Sequence, residues 1–177
     1  LMIAHPDCTY LTCSAEWAYG DGPYHQRVKP GTLVGEARRA AREMALTFVE
    51  ALAAAPIPFI AIENPAIGAI NKRLDLTRYG FCSNFPTQVI HPHQYGHDAS
   101  KATGLALKGL PVLLPTHLVE PRMVPQPSGK TLPRWGNQTD SGQNRLSPGE
   151  GRAMERARTY QGWADAMASQ WGPVVAA

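Results

Sequence analysis

Two apolar runs of the chain are each followed by side chains that could do chemistry. Cys8 comes shortly after the run Leu1 to His5, and Glu63 comes directly after Phe59 to Ile62. Ligands of α/β sheets bind beyond the carboxyl ends of the strands. If the two runs are neighbouring parallel strands, a thiol and a carboxylic acid meet at one edge of the sheet. Cys8 would then be a nucleophile and Glu63 a proton donor.

The same two residues also have a purely structural interpretation. Cysteine is among the residue types most often buried, so Cys8 would be a small core residue. Glu63 would be a surface residue or a helix cap. Spacing alone leaves both interpretations open.

A second set of candidates consists of possible metal ligands, namely His91, His93, His97 and the pair His5 and Asp7. In a strand, side chains at positions i and i+2 share one face, which suits zinc. A zinc-dependent hydrolase is therefore an alternative function. The structural alternative is that Pro92 breaks the strand and that these histidines are loop residues with hydrogen-bond partners.

Four segments carry a family resemblance: the Pro6-Asp7-Cys8 loop, Glu63-Asn64-Pro65, the stretch from Tyr95-Gly96-His97 to Leu107, and the stretch from Tyr160 to Gly172. In this order they resemble the motifs of cytosine-C5 DNA methyltransferases. The combination is similar to short methyltransferase-like proteins encoded by bacteriophages. It covers most of the chain, from Leu1 to Gly172, with residues 119–146 unmatched.

The resemblance implies a DNA (cytosine-5) methyltransferase that uses S-adenosylmethionine and a cytosine flipped out of the duplex. In that mechanism Cys8 adds to C6 of the cytosine and Glu63 holds and protonates N3. The base C5 then takes up the methyl group. The substrate-binding residues that the resemblance implies are Pro6, Asn64, Pro65 and Lys101.

The sequence departs from the family pattern at several places. Asp7 stands where the family has a proline before the nucleophile. Lys101 matches the first of two family arginines, and Thr103 replaces the second. The glycine-rich loop and the ribose-binding acid would lie before Leu1. We therefore expect a Rossmann-like S-adenosylmethionine-dependent methyltransferase sheet without its N-terminal strands, which favours a chain that is a fragment. A non-catalytic nucleic-acid-binding remnant of the same fold is a further alternative.

The elements that would position these residues are those of an α/β domain. A strand, a helix at Leu33 to Ala55 and a second strand predict a right-handed βαβ unit. The predicted buried face of this helix includes Met44 and Phe48, and its predicted solvent face includes Arg38. A short helix is predicted at residues 67–74, and strands at 87–91 and 104–114.

The chain divides into three predicted parts. Residues 1–118 would form the catalytic α/β core. Residues 119–146 lack periodicity and predict a loop or a small irregular recognition segment. Residues 147–172 predict a C-terminal helix that packs back on the core, with a capping box at Ser147 to Glu150 and an end at Gly172-Pro173.

The basic residues concentrate towards the C-terminal part of the chain. Those expected to contact DNA phosphates are Arg122, Lys130, Arg134 and Arg145. A solvated helix face would have the same composition. Both interpretations therefore stay open.

Composition sets the outer limits on these interpretations. The chain has 177 residues, of which 44% are hydrophobic and 18% charged, as in one globular domain. Its apolar stretches are too short and too interrupted to span a bilayer. Three cysteines without CxxC spacing indicate a reducing compartment, so a cytoplasmic location is expected. The formal charge of +3 permits a polyanionic partner.

Overall fold

The computed structural model describes residues 1–146 and 159–177 and shows a mixed α/β protein. The strands in this part of the chain are β1 (Met2–Ala4), β2 (Ile60–Pro65), β3 (Gln88–Ile90), β4 (Thr103–Lys108), β5 (Arg122–Pro125) and β6 (Thr131–Arg134). The α-helices in the same part are α1 (Gly35–Ala53), α2 (Ala69–Arg73) and α3 (Gln161–Ala176).

The main sheet has four strands in the order β1-β2-β4-β3. Strand β1 pairs with β2 in parallel, with Met2 opposite Ile60 and Ala4 opposite Ile62. The predicted strand–helix–strand unit is thereby confirmed, and so is the prediction that its two strands are parallel neighbours. Strand β4 runs antiparallel to β2, so the sheet is mixed.

Strand β2 is longer than its apolar run predicts. Glu63, Asn64 and Pro65 lie inside the strand, not after it, because β4 continues to pair with them, with Glu63 opposite Leu105 and Asn64 opposite Gly104. A cross-strand partner extends a strand past the residues that hydrophobicity alone would assign to it.

The chain divides into two compact units. The first comprises Leu1–Val89 and Thr103–Leu110, and the second comprises Ile90–Ala102 and Pro111–Ala177. The core of the first unit lies between the sheet and α1, and its fully buried members include Ile60, Ile62, Val49 and Leu76.

Helix α1 buries only part of the predicted face: Val49 is fully buried and Ala45 and Leu52 pack against the core as predicted, but other predicted core positions are exposed. Arg38 is only 6% exposed, whereas Met44 is 75% and Phe48 is 55% exposed. The buried residues of the helix are Gly35, Arg38, Leu46, Val49 and Ala53. Arg38 can be buried because its guanidinium lies against the tyrosine rings of the loop that precedes the helix.

The segment 119–146 is more ordered than its composition predicts. Strands β5 and β6 form an antiparallel hairpin with Arg122 opposite Arg134 and Pro125 opposite Thr131. The turn is closed by Gln126, whose amide donates to the Lys130 carbonyl at 2.7 Å. The irregular segment therefore contains regular structure. The sequence of this segment does not predict the strands, because Pro125 and Pro133 lie within them and proline is unfavourable in most strand positions.

Helix α3 begins at Gln161 and continues through Gly172 and Pro173, past the predicted end. The predicted capping box at Ser147 to Glu150 lies outside the described residues. The side chains of Trp163 and Trp171 on this helix are buried in the second unit. The Trp171 indole donates a hydrogen bond to the Pro111 carbonyl at 2.9 Å. In the part of the chain that the structure describes, no helix is long and apolar enough to cross a membrane.

Candidate active site

Cys8 begins a tight turn directly after β1. Its carbonyl accepts hydrogen bonds from the amides of Leu11 at 3.1 Å and Thr12 at 3.0 Å. The Asp7 carboxylate accepts from the Thr9 amide at 2.9 Å and from the Thr9 hydroxyl at 2.7 Å. Asp7 therefore caps the turn in the manner of an Asx-turn, which gives this residue a structural role. The interpretation of Cys8 as a core residue is wrong, because the residue is exposed.

Glu63 lies in β2, beside the end of β1, and its side chain is only 14% exposed. Its Oε2 atom is 3.2 Å from Nδ1 of His5, the residue that directly follows β1. Glu63 is therefore neither a surface residue nor a helix cap.

Spacing along the chain did not identify the His5–Glu63 contact. His5 and Asp7 are predicted to be a pair of metal ligands, whereas in the structure His5 contacts Glu63. The register of the two parallel strands would have predicted this contact. Since Ala4 stands opposite Ile62, the next residues along the two strands are His5 and Glu63.

A buried amide joins the segments that carry Cys8 and Glu63. Asn64 is 2% exposed, and its Nδ2 donates to the Pro6 carbonyl at 3.0 Å. Pro6 is buried as well, and Pro65 stands opposite Thr103 at the end of the β2–β4 pairing. Asn64 thus fixes the start of the Cys8 turn relative to β2.

The two candidate residues of the later motif differ in surroundings. Thr103 is fully buried at the start of β4 in the first unit. Lys101 belongs to the second unit, where its Nζ lies 5.8 Å from the centroid of the Trp163 ring. This is within the range of a cation–π contact.

Helix α1 holds the loop that contains Cys8, which the sequence analysis missed. Arg42 donates from Nε to the Tyr10 carbonyl at 3.0 Å and pairs with Glu16 at 2.8 Å. Its guanidinium carbon lies 3.4 Å from the centroid of the Tyr19 ring, and the Tyr19 hydroxyl also donates to the Tyr10 carbonyl, at 3.0 Å. The sequence pattern that could have predicted these contacts is an arginine-rich helix that follows a tyrosine-rich loop.

The histidines of the second unit do not lie on one strand. Strand β3 ends at Ile90, and Pro92–Gln94 forms a 3₁₀ turn because proline has no amide hydrogen to continue the ladder. His93 stacks on Trp135 with ring centroids 4.2 Å apart, and His97 accepts from the Gly162 amide at 3.0 Å. The alternative of loop histidines with partners is therefore confirmed at these positions.

Burial governs the charge of two of these histidines. Loss of hydration lowers the pKa of His91, and the neighbouring His93 lowers it further. Burial also lowers the pKa of His93. Among the described residues, no group of three His, Cys, Asp or Glu side chains is arranged to hold a metal ion.

Three of the four predicted phosphate-binding residues lie together in the second unit. Arg122 and Arg145 both donate to the Gln138 carbonyl at 2.9 Å, and Arg134 donates to the Asp140 carbonyl at 3.1 Å. Arg122 also forms an ion pair with the Asp140 carboxylate. We name Arg122, Arg134 and Arg145 the arginine cluster. Lys130 is exposed at the hairpin turn, apart from these contacts.

The structure therefore puts the turn that begins at Cys8 and the Glu63 carboxyl group, which contacts the His5 imidazole, at the same end of two parallel strands. No protein-family model, curated protein or solved structure was found to match this chain.

Proposed function

We propose that this chain carries the catalytic site of a DNA (cytosine-5) methyltransferase-like protein, on a Rossmann-like methyltransferase sheet. Cys8 is the nucleophile and Glu63 acts on the base, and the methyl donor of this class of reaction is S-adenosylmethionine. One observation carries the proposal: β1 and β2 are parallel neighbours, so the Cys8 turn and Glu63 lie at the same end of adjacent strands.

Cys8 has the exposure that attack on a base requires. Its thiolate forms a bond from Sγ to C6 of cytosine, and the electrons of the C5–C6 double bond move towards C5 and the ring. C5 becomes the nucleophile that takes up an electrophile. Loss of the C5 proton and cleavage of the Sγ–C6 bond then restore the aromatic ring and the thiolate.

Glu63 supports that addition through the ring nitrogen. Its protonated form donates a hydrogen bond or a proton to N3, which stabilises the negative charge that develops in the ring on addition of the thiolate. His5 touches the Glu63 carboxyl group at 3.2 Å, so a proton can pass between the two side chains. Asn64 and Pro6 hold the two segments in register through their hydrogen bond.

A binding site for the cofactor would have to be formed by the connections that follow the strands of the first unit. The connection from β1 to α1 is the long loop that Arg42 holds, and the connection from β2 to α2 contains Gly68. A Cβ at Gly68 would lie 2.0 Å from the Leu11 carbonyl oxygen. Glycine is therefore required at this position by its close contact with the Leu11 backbone. The described residues of the first unit do not fit a cradle for S-adenosylmethionine.

The arginine cluster supports DNA as the partner. Its three guanidinium groups donate to the backbone carbonyls of Gln138 and Asp140, and one of them, that of Arg122, also pairs with the Asp140 carboxylate. Such a group suits phosphate oxygens, which fix a protein on DNA without reading its sequence.

The test does not need the cofactor. Addition of a thiol at C6 labilises the C5 hydrogen, so DNA labelled with tritium at cytosine C5 should release tritium into water. We expect release with the wild type and with Cys13→Ser, which removes another exposed thiol of the same loop. Cys8→Ser should lower the rate at least about 100-fold.

Two results would contradict the proposal. The first is equal tritium release by Cys8→Ser and the wild type. The second is the absence of both tritium release and methyl transfer from labelled S-adenosylmethionine with the wild-type chain.

A further inference from the structure

The residues that fasten the Cys8 turn to helix α1 have no role in the chemistry proposed above. Arg42 donates to the Tyr10 carbonyl, pairs with Glu16 and stacks on the Tyr19 ring. Arg38 lies against the same Tyr19 ring, with its guanidinium carbon 4.7 Å from the centroid. These contacts tie three separate points of one loop to a single helix face.

The point that Arg42 holds lies inside the Cys8 turn. The turn is closed by the amides of Leu11 and Thr12, which donate to the Cys8 carbonyl. Tyr10 lies between Cys8 and these donors, and its own carbonyl receives hydrogen bonds from both Arg42 and the Tyr19 hydroxyl. Movement of Arg42 therefore moves the turn that aims the thiol.

Burial makes this attachment stiff. The Arg42 side chain is 13% exposed, and Arg38 as a residue is 6% exposed. A buried guanidinium that is hydrogen-bonded and stacked has few alternative positions, unlike a flexible surface arginine.

The charges around the turn are arranged unevenly. The α1 side contributes Arg38 and Arg42, with Glu16 as the acid that pairs with Arg42. On the β-strand side, Asp7 is hydrogen-bonded to Thr9, and Glu63 contacts His5. The guanidinium groups that contact this turn therefore lie on its helix side, at Tyr10.

We propose that Arg42 is the positioning residue for Cys8. It fixes the turn through the Tyr10 carbonyl and supplies positive charge that favours the thiolate. The catalytic consequence rests on the proposed function, whereas the effect on the thiol does not.

The experiment measures the thiol by itself. In a Cys13→Ser/Cys82→Ser background, Cys8 is the only cysteine left, and its alkylation by iodoacetamide is followed against pH. Arg42→Gln removes the charge, and Arg42→Lys keeps the charge but loses the stacked, forked geometry. The matched control is Arg39→Gln, because Arg39 lies on the same helix and binds Tyr19 and Asp21 farther along the loop.

Arg42→Gln should raise the alkylation midpoint by on the order of half a pH unit and lower tritium release from cytosine roughly 10-fold. Arg42→Lys should keep the midpoint near that of the background chain and still lower tritium release. Arg39→Gln should change neither. An unchanged midpoint in Arg42→Gln, or an equal shift in Arg39→Gln, overturns the inference.

If circular dichroism shows that Arg42→Gln does not fold correctly, Tyr19→Phe is measured in its place. This variant removes the second donor to the Tyr10 carbonyl without changing charge, so it should lower tritium release, and an unchanged rate counts against the inference. A wild-type chain that neither releases tritium nor transfers a labelled methyl group refutes the proposed function alone. The inference about the thiol then stands or falls on the alkylation midpoints of Arg42→Gln and Arg39→Gln.

Discussion

At Asn64, a single buried amide connects the segment that carries Cys8 to the strand that carries Glu63. Its Nδ2 donates to the Pro6 carbonyl, and the residue is 2% exposed. Loss of one partner of a buried hydrogen bond leaves the other partner without water or protein to bind, which costs more than the bond contributes in net terms.

Substitution of Asn64 should therefore destabilise the first unit. Asn64→Ala should lower the free energy of unfolding by about 1–3 kcal/mol. Asn64→Asp should lower it by about 2–4 kcal/mol at pH 7, where an ionised carboxylate would face the Pro6 carbonyl without water.

The loss in Asn64→Asp should shrink near pH 4. Burial raises the pKa of the introduced carboxyl in the folded state, so its penalty grows as pH rises above the unfolded value and falls in acid. Urea unfolding of both variants against the wild type at each pH is the measurement. Asn71→Asp, at an exposed asparagine whose Oδ1 accepts from Gly68, serves as the control, and an equal loss there would refute the argument.

The residue types of the candidate site were readable from the sequence, but their pairings were not. Cys8 and Glu63 could be selected because each follows an apolar run. The contact of His5 with Glu63 depends on the register between β1 and β2, which hydrophobic patterning does not specify when a strand is three residues long.

Among the elements, helix α1 shows best why periodicity located a helix but gave only part of its buried face correctly. The helix is rich in alanine, so its apolar stripe is weakly defined, and Met44 and Phe48 weighed heavily in the prediction. Tertiary contacts decided otherwise, because Arg38 and Arg42 can bury their stems and stack on tyrosine.

The turn after β3 predicts a pH dependence for the second unit. His91 has a lowered pKa in the folded protein, first from burial and then from His93. Its folded value lies below its unfolded value, so the unfolded chain binds more protons as pH falls below about 6.5. Stability should therefore decrease from pH 7.5 to pH 5.5.

His91→Gln should reduce that decrease. Glutamine keeps a hydrogen-bonding group near Ser100, whose Oγ lies 3.5 Å from the His91 Nδ1 atom, but it cannot take up a proton in this range. Thermal unfolding at the two pH values compares the variant with the wild type. A variant as acid-sensitive as the wild type would show that His91 is not responsible.

At the scale of the whole molecule, the path of the chain could not be predicted from composition. The chain leaves the first unit after Val89, returns to it at Thr103 and leaves again after Leu110. Local propensity shows which segments are strands but not which compact unit each segment joins, because that depends on contacts between residues far apart in sequence.

The net charge of +3 and the isoelectric point near 8.9 permit binding to DNA, but the arginine cluster predicts where the contact lies. Each phosphate neutralised by a cation changes the slope of log affinity against log salt by about 0.9 for B-DNA. Arg145→Gln should therefore weaken DNA binding and make this slope shallower by about one.

The matched control for Arg145→Gln is Arg78→Gln, which removes the same charge from an exposed position in the first unit. Fluorescence anisotropy with labelled duplex DNA at several salt concentrations measures both variants. If net charge alone attracts DNA, the two variants should lower affinity equally and their slopes should agree. A shallower slope confined to Arg145→Gln places the phosphate contact at the arginine cluster. This is the result we expect, because the three arginines of the cluster meet at the backbone carbonyls of Gln138 and Asp140 and only Arg122 is paired there with a carboxylate, that of Asp140.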